Sequence, residues 1–166
     1  MSKTEYQIID NFLPIDDFKR LSEIVMGNGF AWYWQPNINE EHKSDVDYTS
    51  YFTHMCYNHN NVNSPTFYEF EKILKLLDVK AIIRLKINCY PNTGKFDTHE
   101  AHSDYPYSHK GCIFYFNTCN GYTILNDGTR IESIANRALL FDPSLPHQST
   151  NATDVKARFN VNMNYF

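Results

Sequence analysis

The segment Ala157-Arg-Phe-Asn-Val-Asn-Met-Asn-Tyr165 alternates with a strict period of two. Arg158, Asn160, Asn162 and Asn164 fall on one side; Phe159, Val161, Met163 and Tyr165 fall on the other. Side chains two apart along a strand point the same way, so this period specifies a strand. One side is a row of amides headed by a guanidinium. Either that row faces solvent, or it faces an internal polar cavity while the apolar row packs against other elements. The second arrangement needs a sheet covered on both faces. It also needs a partner for the arginine, because a lone buried charge is costly.

The preceding segments fit such a sheet. Residues 80–90, with Ile82, Leu85 and Ile87, read as a long strand. Shorter strand-like runs follow at 112–117, 122–125, 129–133 and 138–141. Turn signals separate them at Asn120-Gly121, Asn126-Asp127-Gly128 and Asp142-Pro143. Short strands at this spacing predict a sandwich or jelly roll. Upstream, 6–9 reads as a strand, and Asn11-Phe-Leu-Pro14 leads into a helix over residues 15–26. Phe18, Leu21, Ile24 and Val25 form its apolar stripe, and Gly27-Asn28-Gly29 ends it. Residues 30–34 and 48–57 are strand candidates, with polar loops at 37–47 and 58–63. Ser64-Pro65 has the form of an N-cap and first-turn proline, which predicts a helix to about Leu77. The expected architecture is mainly β: a sandwich or jelly roll over 80–166, supported by the helices and strands of 1–79, in a single domain spanning 1–166.

Composition narrows the function. The 166 residues carry a net charge of −4 and no basic stripe, which argues against duplex nucleic acid as a partner. No apolar run is long enough to span a bilayer, and residues 1–10 lack a signal-peptide core, so a cytoplasmic location is expected. Cys56, Cys89, Cys112 and Cys119 form no C-x-x-C pair and read as free thiols.

Four features carry chemistry. His102-Ser-Asp104 would place an imidazole and a carboxylate side by side if it lies on a strand. Pro146-His147, after the apolar run ending in Phe141, offers a third ligand. Two histidines and one carboxylate leave coordination positions open on a metal such as iron(II). Arg158 is a bidentate partner for a carboxylate. Asn88 and Tyr90, two apart at the end of the long strand, are hydrogen-bonding groups for the same ligand, and Asn160 shares the row with Arg158.

This array resembles the Fe(II)/2-oxoglutarate-dependent dioxygenase superfamily, in particular small prolyl-hydroxylase-like and phage-type members. The likeness covers residues 80–166. Asn88-Cys-Tyr90-Pro-Asn-Thr-Gly94 is similar to the strand and turn before the iron motif, Asn120-Gly-Tyr-Thr123 to a glycine-rich turn, and Asn136-Arg-Ala-Leu-Leu-Phe141 to the strand before the distal histidine. The resemblance implies a double-stranded β-helix, or jelly roll, with flanking N-terminal helices. Iron(II) would be held by His102, Asp104 and His147. 2-Oxoglutarate would be anchored by Arg158 with help from Tyr90, Asn88 and Asn160, and dioxygen would be the oxidant. Hydroxylation of a substrate would release succinate and carbon dioxide. Family spacing would put the first ligand at His99, but only His102 has a carboxylate two residues on, which implies a loop three residues longer. Lys156 shares the strand parity of Arg158 and is its rival.

The alternative reading is a non-catalytic cupin-like module that binds a metal or ligand. For an enzyme, a peptidyl side chain or small molecule is favoured over a nucleobase as substrate, with loops 37–47 and 91–101 shaping specificity. His99 and Glu100 read first as ordinary structural residues, with the cavity mouth as the alternative, and Tyr105 and Tyr107, close after the iron motif, are candidates to touch substrate. His42, His54, His59 and His109 read as surface or satisfied core histidines, Trp32 and Trp34 as core or cleft rim.

Overall fold

In the computed structural model, residues 5–37 and 50–166 are described. The loop expected at 37–47 lies outside them except for Asn37, as does His42. The strands are β1 (Tyr6–Ile9), β2 (Tyr33–Gln35), β3 (Tyr51–Asn58), β4 (Asn61–Val62), β5 (Ile82–Pro91), β6 (Lys110–Tyr115), β7 (Tyr122–Ile124), β8 (Arg130–Glu132), β9 (Arg137–Phe141), β10 (Gln148–Ser149) and β11 (Ala157–Tyr165). Two α-helices, α1 (Ile15–Met26) and α2 (Glu71–Leu76), lie among the first strands.

Every strand pairing is antiparallel. The major sheet runs β1-β9-β6-β11-β5-β3-β2, with β4 on β3; a minor sheet runs β10-β7-β8. The alternation in β11 decides what covers each face. Val161 and Met163 join Leu85, Ile87, Cys112 and Phe114 in one core cluster with Leu21 and Val25 of α1 and Ile73 of α2. Phe114 sits at its centre, with the rings of Phe12 and Phe18 each 6.1 Å away and that of Phe116 5.4 Å away. Each such pair adds about 0.5–1.5 kcal/mol to plain burial. The opposite face meets the minor sheet through a second cluster of Ile113, Tyr115, Leu139 and Phe141 with Leu125 and Ile131. This is the expected jelly roll with flanking helices, and its interior lies between the two sheets.

The N-terminal half does more than support this sheet: β1 pairs with β9 and β3 with β5. Asn136, at φ 62°, clamps the approach to α1; its amide donates to the Leu13 carbonyl and its Oδ1 accepts from the Leu13 N–H. Three local expectations are corrected. After the Ser64 cap, Pro65–Phe70 winds as a 3-10 helix, and α-geometry starts only at Glu71. The strand expected at 30–34 is confined to Tyr33–Gln35, because Phe30 and Trp32 turn into the core, against His54 and Phe159 respectively. Finally, β10 is too short to leave a sequence signal. The four cysteines are free, as expected. No described helix is long and apolar enough to cross a membrane.

Candidate active site

The polar row of β11 faces the interior. Arg158, Asn160 and Asn164 are at most 3% exposed and Asn162 is 7% exposed. Antiparallel register places a polar partner from β5 beside each: Tyr90 opposite Arg158, Asn88 opposite Asn160, Lys86 opposite Asn162 and Arg84 opposite Asn164. Cross-strand neighbours share a face of the sheet, so eight polar side chains line one continuous track.

His102, Asp104 and His147 meet near the Arg84 end of this track. Their ligand atoms all lie within 4.8 Å of one another. The histidines are brought together by their own main chain: His102 N–H donates to the His147 carbonyl at 3.0 Å, and His147 N–H to that of His102 at 2.9 Å. This is an isolated bridge rather than part of a regular strand, which corrects the expected strand setting of His102-Ser-Asp104. A second bridge joins Thr98 to Thr150, and the 98–102 side carries one residue more than its partner, as in a bulge. His147 Nδ1–H donates to the Leu145 carbonyl at 3.1 Å, and His102 Nδ1 faces the Glu100 carbonyl at 3.5 Å. Both rings are thereby oriented with Nε2 left over, as metal-binding imidazoles usually are. Burial, then the neighbouring His147, pushes His102 down to about 4, so its imidazole is neutral and able to donate a lone pair at neutral pH.

Asp104 is held on every side. Its N–H donates to the Pro143 carbonyl at 2.9 Å. Arg84 Nη2 lies 2.7 Å from Oδ1, and the amides of Asn162 and Asn164 donate to Oδ2 at 3.0 and 2.8 Å. Burial by itself would raise the carboxyl. Arg84, then His147 and the two asparagine amides, outweigh it and keep the group below the usual carboxylate range. Behind it, Asn164 accepts from Arg84 Nε at 3.1 Å and donates to His109 Nε2 at 3.0 Å, while His109 Nδ1–H donates to the Tyr107 carbonyl. Gly111 makes this approach possible: a Cβ there would lie 2.6 Å from Pro143 Cγ, forcing away the loop that fixes the Asp104 backbone.

At the other end of the track, Arg158 is fully buried. Nη1 donates to the Thr150 carbonyl at 3.0 Å and Nη2 to Thr123 Oγ1 at 3.1 Å, while Nε has no partner. The guanidinium lies 5.7 Å from the Tyr90 ring centroid and 5.5 Å from that of Tyr115. Among the described residues no carboxylate pairs with it. Gly121 permits this placement, since a Cβ would come within 2.6 Å of both Arg158 Cδ and the Asn151 carbonyl oxygen. Lys156, the rival, is exposed. Between the ends, the Asn88 amide donates to Asn160 Oδ1 at 2.9 Å, leaving Asn88 Oδ1 and Asn162 Oδ1 buried and without partners.

His99 is outside the ligand cluster and lies behind Tyr90 and Ser149, which line the cavity. It is 3% exposed, shares a 2.7 Å hydrogen bond with Ser149 Oγ and packs on Tyr90 at 5.2 Å. Burial, then Arg158 and His102, pushes it down to about 3, so it is a neutral side chain buried behind the cavity and not a residue of its mouth. Tyr107 is 45% exposed, and Tyr105 lies beneath Arg84, its ring centroid 5.4 Å from the guanidinium carbon. His54 is a satisfied core histidine between the Ala31 carbonyl and Ser64 Oγ. Sequence reading missed Arg84, Lys86 and the bracing role of His109. The parity of 84 and 86 with Asn88 and Tyr90 was the available signal for the first two.

His102, Asp104 and His147 are grouped closely enough to hold a metal ion, with a narrow cavity on one side and a buried cation beyond it. Two imidazoles and a carboxylate are a donor set suited to iron(II) with positions left open. A buried guanidinium with an unsatisfied Nε–H, and no carboxylate among the described residues, fits a chelating acid with a second carboxylate.

No family model matches the chain, and no curated protein matches it in sequence. Solved structures do. A prolyl hydroxylase from Trichoplax adhaerens, in complex with a hypoxia inducible factor oxygen degradation domain peptide fragment, superposes with a TM-score of 0.68 at 16% identity. The match covers 99% of this chain and 84% of that one. A 2OG-Fe(II) oxygenase family oxidoreductase from Burkholderia pseudomallei gives 0.72 at 9% identity, over 96% and 84%. A prolyl-4-hydroxylase from Pseudomonas putida gives 0.61 at 14%, over 99% and 93%. At these identities the likeness concerns the fold: this chain has the fold of prolyl-hydroxylase-like 2-oxoglutarate/Fe(II) oxygenases.

Proposed function

We propose that this chain is an Fe(II)- and 2-oxoglutarate-dependent oxygenase that hydroxylates its substrate with dioxygen and releases succinate and carbon dioxide. His102, Asp104 and His147 hold the iron. Arg158 binds the far carboxylate of 2-oxoglutarate, flanked by Tyr90, while Asn88 and Asn160 line the channel between. The observation that carries this reading is Arg158: a guanidinium buried without a carboxylate, on the strand face that also presents the asparagines bracing Asp104. A module that bound metal alone would have no return for burying that charge.

When bound, iron(II) chelated by the keto-acid supplies the oxidising power, and the protein supplies geometry. His102 and His147 present their Nε2 atoms in fixed orientation. Arg84, Asn162 and Asn164 keep Asp104 ionised and in one rotamer. Arg158 sets the direction in which a dicarboxylate enters. The cavity walls, Tyr90 and Ile113 among them, exclude bulk water. For the substrate we favour a peptidyl side chain or a small molecule over nucleic acid; one structure of similar fold is a prolyl hydroxylase holding a peptide fragment.

The test is anaerobic titration of metal-free protein with iron(II) and 2-oxoglutarate, watching for the weak visible charge-transfer band of the chelated keto-acid. The band is expected in the wild type and not in His102→Ala. No band and no tight iron binding would refute the oxygenase reading and favour the cupin-like binding module.

A further inference from the structure

Lys86 has no role in the reading above, yet it stands on the interior face of β5 between the metal cluster and Tyr51. Its register partner is Asn162, which donates to Asp104. It lines the same cavity as His102, His147 and Asn88. Its one hydrogen bond is a long one, 3.5 Å to the Tyr51 hydroxyl, and its ammonium lies 5.7 Å from the centroid of that ring. Among the described residues no carboxylate lies within ion-pair distance. Burial, then Arg84, pushes Lys86 down to about 8, so at neutral pH it is still mostly a cation.

Charge balance then separates Lys86 from its neighbours. With the proposed co-substrate bound, iron(II) faces Asp104 and the chelating carboxylate, and Arg158 faces the far carboxylate. Arg84 already pairs with Asp104. Among the described residues Lys86 is left without a counter-charge, in a cavity whose other walls near it are neutral: Tyr51, Asn88 and Asn162. The amides already donate to Asn160 and Asp104, so the ammonium is the group that recognises an anion, and a carboxylate can accept from it.

We propose that Lys86 is the specificity-determining group for the substrate, and that the substrate carries a carboxylate which docks on its ammonium beside Tyr51. This rests on the oxygenase reading, since it assigns Arg158 to the co-substrate and so leaves Lys86 to the substrate. The side of the metal cluster toward β3 is then where substrate sits, with the carboxylate fixing which C–H bond faces the iron.

The experiment uses the full chain loaded anaerobically with iron(II) and saturating 2-oxoglutarate, with the charge-transfer band as internal control. Three probes of nearly equal size are titrated by calorimetry: N-acetylglutamic acid α-amide, N-acetylglutamine, and neutral N-acetylglutamine α-amide. The first carries a side-chain carboxylate, as an acidic peptide would; the second carries a main-chain carboxylate, as a free amino acid or chain terminus would. At least one carboxylate probe should bind about tenfold or more tightly than the neutral one, with the band retained. Lys86→Met should abolish that preference, and Lys86→Arg should keep it. Whichever carboxylate probe wins names the source. Equal binding of all three, or a preference that survives in Lys86→Met, overturns the proposal while the band leaves the oxygenase reading intact. Absence of the band removes both.

Discussion

Replacing Arg158 with methionine separates a residue that holds the fold from one that holds a ligand. In the protein without co-substrate, the guanidinium has lost its hydration for two hydrogen bonds, to the Thr150 carbonyl and Thr123 Oγ1, and leaves Nε unsatisfied. Methionine forfeits those bonds and orphans the Thr150 carbonyl, which costs roughly 1–3 kcal/mol. It also relieves the burial of a cation without a counter-charge, a penalty of several kcal/mol per ion that apolar replacements often recover. The two nearly cancel, so stability in the absence of ligand should stay within about 2 kcal/mol of wild type. Co-substrate binding is different, because the variant must bury a carboxylate with no partner. Truncating one side of such a pair costs about 2–5 kcal/mol, and a middle value of about 3 kcal/mol corresponds to roughly 100-fold weaker 2-oxoglutarate binding. The assay is the charge-transfer titration combined with chemical denaturation, with and without 2-oxoglutarate. Saturating 2-oxoglutarate should raise the denaturation midpoint of iron-loaded wild type and barely move that of the variant. An Arg158→Met protein that unfolds outright, or that keeps wild-type affinity, would refute the reasoning.

Lys156→Ala should leave 2-oxoglutarate affinity unchanged, because that side chain is exposed; the same titration checks it. Asn164→Leu removes the amide shared by Asp104, Arg84 and His109 and should weaken iron(II) binding by roughly 10–100-fold, the usual effect of losing a group that orients a ligand. Gly121→Ala meets a backbone oxygen as well as Arg158, so the side chain alone cannot relieve the clash; a loss of about 1–3 kcal/mol in denaturation and weaker 2-oxoglutarate binding are expected together. His99 is neutral in the fold down to about 3, whereas an unfolded histidine takes up a proton below about 6.5. The unfolded state therefore binds more protons between those values, and stability falls as pH drops through that window, by up to about 1.4 kcal/mol per unit from this residue. Denaturation at pH 7 and pH 5 should show a smaller loss for His99→Gln than for wild type.

Much of the frame was legible because period alone specifies it. α1 runs over the residues its apolar stripe marks out, and β11 over the stretch whose alternation is strict. The inward aim of Arg158, Asn160, Asn162 and Asn164 could be read as an option but not chosen, since alternation does not say which face is wet. The choice depends on the minor sheet, whose β10 is two residues long and leaves no pattern. Ser64-Pro65 marked a helix start correctly, but whether the first turns are α or 3-10 depends on packing against β3. That His102, Asp104 and His147 belong together was legible through residue type and spacing. Their support was not, because Arg84 and Lys86 look like ordinary strand residues until register sets them beside Asn164 and Asn162. The role of His109 could not be read locally, since its partner Asn164 lies on a distant strand.

The bridge between His102 and His147 has a bearing on how this chain tolerates change. The first ligand is positioned by a main-chain partner from the far side of the sandwich, not by counting residues from Tyr90. Any surplus between β5 and the Thr98–Thr150 bridge can therefore bow outward at the exposed turn 93–95 without shifting the His102–His147 pair. Residues added or removed at that turn should be nearly silent toward iron binding while altering the surface nearby. The scaffold thus leaves one stretch of sequence free to vary while the chemistry of the site stays fixed.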